Sequence, residues 1–163
     1  MTKGLNLDWE LSDYGWARCR VDDGSADLCM AVGYLTDALA DLLYGVIALY
    51  GPVKTPRFSF EGEPVEYRWV LLPEGEAVEI SIYRFGDAAE SFDLPDSAGL
   101  LLWKSRQPKS RLTHAAITAA AGVLRDHGEE GYQSKWVRHP FPVNALRDLQ
   151  RLHLLHDECP EVH

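Results

Sequence analysis

The chain has 163 residues, 46% hydrophobic and 25% charged, which is single-domain size with enough apolar material for a real core. Sixteen Lys and Arg stand against 25 Asp and Glu, and the net charge of −9 argues against general affinity for nucleic acid. No apolar run reaches bilayer length, MTKGLNLDWEL lacks a signal-peptide core, and three cysteines without a CxxC spacing fit a reduced, cytoplasmic protein.

LNLDWEL alternates strictly, with Leu5, Leu7, Trp9 and Leu11 on one side, and predicts a half-buried strand. WARCRVDDGSADLCMAV predicts a hairpin about a two-residue Asp23-Gly24 turn. That register sets Val21 opposite Ala26, Cys19 opposite Leu28 and Ala17 opposite Met30, pairs Arg20 with Asp27, and parts Cys19 from Cys29 on opposite faces. YLTDALADLLYGVIALYGP has apolar residues at helical spacing, with Thr36 as N-cap and Gly51-Pro52 as the stop. Gly45 inside it costs about 1 kcal/mol relative to Ala, which close packing would explain.

RFSFEG predicts a short strand with Phe58 and Phe60 on one face. EPVEYRWVLLPEGEAVEISIYRF predicts a hairpin about PEGE, with Trp69 opposite Ile80 and Arg68 opposite Ser81. A period of two then turns Trp69 inward and Arg68 outward. Residues 86–97 read as an acidic loop, and GLLLWKS as a strand apolar enough to be central. SRLTHAAITAAAGVLRDHG predicts an Ala-rich helix ending at Gly128. EEGYQSKWVRHPFP reads as irregular, and Pro142 opens a last helix with Leu146, Leu149, Leu152 and Leu155 on its apolar side. The order β-β-β-α-β-β-β-β-α-α predicts an α+β fold: an antiparallel sheet of about six or seven strands with helices on one face. No linker divides the chain, so 1–163 reads as one domain.

Charge is uneven. Residues 1–100 hold 7 Lys and Arg against 18 Asp and Glu (−11), and residues 101–163 hold 9 against 7 (+2). The outer face of the second hairpin groups Glu66, Arg68, Glu79 and Tyr83, a composition suited to an interaction patch. The plainer reading is a solvated sheet face whose ion pairs contribute about 0–1 kcal/mol each. The C-terminal His153, His156, Asp157, Glu158, Cys159 and His163 offer ligand spacing, but without HExxH or paired CxxC they read as a tail, and no metal is expected. Lys104, Arg106, Lys109 and Arg111 gather before the Ala-rich helix and read as a basic surface patch. Cys19, Cys29, Cys159, His114, His127 and His139 form no recognisable nucleophile–base pattern, so neither catalytic residues nor a cofactor is expected.

YGWARCRVDD, VGYLTDALADLLYG and EPVEYRW together resemble a pattern of small bacterial proteins of unassigned function, over residues 14–69. The resemblance implies a cytoplasmic α+β protein and supplies no catalytic residues. In charge and size the chain is also similar to immunity proteins that block basic toxins. The expectation is a non-enzymatic, immunity-like or regulatory module whose acidic sheet surface binds a basic protein. The alternatives are a small enzyme or ligand-binding protein with a pocket between sheet and helices, and self-association as a homodimer through a sheet edge or the last helix.

Overall fold

The computed structural model describes residues 4–157. The chain is α+β, as the pattern predicts, but its seven strands form two antiparallel sheets instead of one. Strands β1 (Asn6–Leu11), β2 (Trp16–Asp22) and β3 (Asp27–Gly33) form the first, in that order. Strands β4 (Arg57–Glu61), β5 (Glu66–Glu74), β6 (Ala77–Phe85) and β7 (Leu100–Pro108) form the second. Helix α1 (Ala38–Ile47) and a 3-10 turn (Ala48–Tyr50) connect them. Period-two alternation states which face of a strand is buried, but not what covers it. The inner faces of the two sheets cover each other: Trp9 of β1 meets Phe60 of β4 edge-on at 5.5 Å between ring centroids.

Both hairpins keep the predicted faces but shift register by two residues. In the first, Val21 pairs with Leu28, Cys19 with Met30 and Ala17 with Val32. The Asp23 carboxylate accepts from the Ser25 and Ala26 amides, which stabilises a longer turn than the two-residue one. Arg20 still reaches Asp27, at 3.2 Å, and Cys19 is buried while Cys29 is exposed, both as free thiols. In the second, Trp69 pairs with Ile82 and Arg68 with Tyr83, because the strands continue to a two-residue turn at Gly75-Glu76. Gly75 has φ 62°, the positive value such a turn needs. An even shift leaves every side chain on its face.

Helix α1 begins later than expected: Asp37, not Thr36, holds the N-cap position, without a side-chain capping bond. A Cβ on Gly45 would stand 2.2 Å from Phe58 Cδ1, so α1 lies directly on β4 and its glycine is a packing requirement. Strand β7 is an edge, not a central strand. A bulge where Ile82 pairs with Trp103 but Tyr83 with Leu101 leaves Leu100 and Leu101 exposed.

Helix α3 (Lys109–Trp136) breaks at Gly128 (φ 68°, ψ 172°), where the Ala-rich segment was expected to end. The following residues are helical, not irregular, because Tyr132 and Trp136 are fully buried there. Helix α4 (Val143–Asp157) buries Ala145, Leu146, Leu149 and His153, whereas Leu155 points to solvent. His153 thus takes the inward position that an all-leucine stripe would have given to Leu155. Helix α3 runs along β1, α1 lies on β4, and α4 packs on both helices. No helix among the described residues is long and apolar enough to cross a membrane.

Candidate functional site

The segment expected to be an acidic loop folds over the outer face of the second sheet. It contains α2 (Ala88–Ser91), capped by the Asp87 carboxylate on the Ala89 amide, and a 3-10 turn (Asp96–Ala98). Beneath it lie Glu66 and Arg68, each only 6% exposed. Both point outward from the sheet as predicted, but the segment covers them.

Arg68 is fully engaged. Its Nε and one terminal nitrogen donate to Glu66 at 3.0 and 3.2 Å, and that same nitrogen donates to the Ser91 carbonyl at 2.8 Å. The other terminal nitrogen donates to the Leu94 carbonyl at 2.7 Å and to Asp96 Oδ1 at 3.2 Å. Five bonds use all five donors of a guanidinium. Its plane also lies over the Phe85 ring, at 4.2 Å. Burial pushes the Glu66 carboxyl up, but bonds from Arg68, Ser59 and Ser91 outweigh it and hold the group below its ordinary range. Asp96 is held low chiefly by Arg57, which donates to it at 2.7 Å, with Arg68 assisting against burial.

Of the four residues expected to form the patch, the structure joins Glu66 and Arg68 and places Tyr83 across the ladder from Arg68, half-buried. Glu79 lies further along β6, 3.2 Å from Lys104. At the basic junction Lys104 is therefore occupied, Arg106 pairs with Glu74, and Lys109 Nζ sits 4.4 Å over the Tyr50 ring.

The folded-over segment and α1 leave an open trough on either side of β4. On the segment's side a cleft of about 670 Å³ is walled by Phe92, Asp93 and Leu94. On the α1 side a second, of about 530 Å³, is walled by Asp41 and Tyr44. Thr36, Arg57, Phe58 and Ser59 line both, so the two are continuous along β4. Phe92 is 80% exposed and Tyr44 54% exposed. Asp41, Glu61 and Asp93 make no ion pair among the described residues, while the trough's two cations, Arg57 and Arg68, are both occupied by carboxylates. Burial, aided by Asp37 and opposed by His139, pushes the Asp41 carboxyl up to about 6.

A second polar cluster joins distant parts of the chain. His153 Nδ1 lies 2.8 Å from Asp157 Oδ2, which accepts from the Tyr50 hydroxyl, and that hydroxyl lies 2.7 Å from Thr113 Oγ1. Of the C-terminal ligand candidates, Glu158, Cys159 and His163 lie outside the described residues. Among the described residues no group of three or more His, Cys, Asp or Glu is placed to hold a metal. Burial pushes the Cys19 thiol far up, away from nucleophilic use.

The trough's walls were not legible in the sequence. Phe92 and Asp93 sit in a segment whose only local signal is turn formation. Comparison with protein families, curated proteins and solved structures finds no match.

Proposed function

We propose that this is a non-enzymatic, cytoplasmic binding domain, immunity-like or regulatory, that receives a basic protein on the acidic side of its second sheet. The observation that carries this reading is the trough along β4, where three carboxylates in no ion pair among the described residues stand beside exposed Tyr44 and Phe92. Exposed aromatics beside charge are what interface anchors consist of. Glu66 and Arg68 serve the surface indirectly, by fixing the segment that forms one wall.

The ligand-pocket reading has one point in its favour, a cleft volume within the range of small-molecule sites. The charged side chains on its floor, Glu66, Arg68 and Asp96, are bonded to one another, and Arg68 has no donor left for a ligand. The geometry therefore favours the protein-binding reading.

The test is a tagged pull-down from source-organism lysate at low and near-physiological salt, with wild type beside Phe92→Ala. A basic protein held at low salt, partly released at higher salt and lost from the variant supports the reading. Equal capture by wild type and variant overturns the placement. A small-molecule thermal-shift screen that yields a ligand competing with no protein promotes the pocket reading.

A further inference from the structure

Resting on that reading, we propose that β4 is an open pairing edge: the partner enters as a short extended segment that adds a strand there, with a Lys or Arg directed at each wall.

The backbone phase supports this. The Leu71 amide donates to the Pro56 carbonyl at 2.9 Å and the Gly62 amide to the Val65 carbonyl at 2.6 Å. These two bonds bracket β4 and fix the antiparallel alternation, so Phe58 and Phe60 exchange their bonds with β5. The amide and carbonyl groups of Arg57, Ser59 and Glu61 then point away from β5, and no strand among the described residues pairs with that edge. Beyond it the Ala31 carbonyl closes in, 3.0 Å from where a Cβ on Gly62 would stand. The open stretch lies within the five residues Arg57–Glu61 of β4. Free edges are commonly blunted by a bulge, a proline or a covering element. This one instead lies in the floor of a trough, continuous between the two clefts.

The walls specify the segment. Asp41 and Tyr44 are three residues apart on α1 and share a face. Phe92 and Asp93 are adjacent on the opposite wall. Each wall thus offers an exposed aromatic ring and an unpaired carboxylate, a combination that takes a long cationic side chain by stem and by head. Successive residues of an added strand point to opposite walls, so a pair of neighbouring basic residues satisfies both. The Asp41 carboxylate, half-buried and in no ion pair among the described residues, is suited to such a side chain.

The probe is a capped hexapeptide, TVKRVT, with TVEEVT as charge control and two versions of TVKRVT N-methylated at odd or at even positions. Binding is read by fluorescence anisotropy and by amide exchange. We expect TVKRVT to bind at least about tenfold more tightly than TVEEVT, the factor that about 1.4 kcal/mol supplies. One methylated version should fail while the other binds, and the Arg57, Ser59 and Glu61 amides should gain protection. If both methylated versions bind like the parent, strand addition is overturned while recognition of a basic partner stands. If TVKRVT binds no better than TVEEVT, both readings fail together.

Discussion

Arg68 looks from the sequence like an exposed recognition residue and is in fact a clamp. Removing it leaves the buried Glu66 without its cation, held only by the Ser59 and Ser91 hydroxyls, and frees the segment carrying Phe92. Arg68→Ala should therefore cost roughly 3 kcal/mol in denaturant unfolding and speed amide exchange across residues 86–98. Phe92→Ala should leave stability within about 0.5 kcal/mol, as expected for an exposed side chain, and weaken binding instead. Asp41 makes the opposite trade. Its folded pKa, about 6, lies above the ordinary 3.8, so the folded state holds the proton more tightly. The ionised carboxylate thus lowers stability above pH about 6, and the penalty is relieved as pH falls through that value. Asp41→Asn should stabilise the protein at pH 7 by about 1 kcal/mol, a figure discounted for the solvent that still reaches this half-buried group. The gain should vanish near pH 4, and binding of a basic segment should weaken. No gain at pH 7 would sink the view that this group is held at a cost to folding.

At the scale of elements, the helix–strand contact at Gly45 gives a second clean test. Alanine improves helix propensity by about 1 kcal/mol, but its Cβ would drive into the Phe58 ring. Gly45→Ala should therefore destabilise by about 1–3 kcal/mol, since overpacking outweighs propensity; a stabilised variant would mean that α1 can lift off β4. The same elements show how far the pattern of residues carries. Alternation in LNLDWEL and RFSFEG identified the inward residues of β1 and β4 correctly. Both hairpin registers slipped by two, because turn length depends on side-chain bonds such as those of Asp23 that composition does not reveal. The faces survived the slip, so the inward placement of Trp69 and the outward placement of Arg68 held. What covers Arg68 did not follow. The bonds that close over it come from residues 91–96, chosen by geometry across the sheet and not by neighbours in the chain. The helix beyond Gly128 was missed for a similar reason: its local residues favour a turn, and burial of Tyr132 and Trp136 overrides them.

For the whole molecule, acid titration combines opposing groups. Glu66, Asp96 and Asp23 have folded pKa values below the ordinary 4.5, 3.8 and 3.8. Their contribution is complete above those ordinary values and is lost as pH falls through the lower folded ones. Asp41 runs the other way near 6. The thermal midpoint should therefore rise as pH falls from about 6, reach a maximum near pH about 4.5 and decline below it. A midpoint that only falls from pH 7 downward would remove Asp41 from this balance. The net charge of −9 predicts that partner affinity falls as salt rises, mainly through a slower association rate.

The cluster of Tyr50, Thr113, His153 and Asp157 joins parts far apart in the chain: Tyr50 and Asp157 are separated by 107 of its 163 positions. On a ribosome adding about 5–20 residues per second, Tyr50 waits roughly 5–20 s for that carboxylate to emerge. Throughout that interval the side of α1 that α4 will cover has nothing to pack against. Completion of this fold is therefore timed by its last helix, and the nascent chain passes through a stage at which its first helix is the surface most in need of protection.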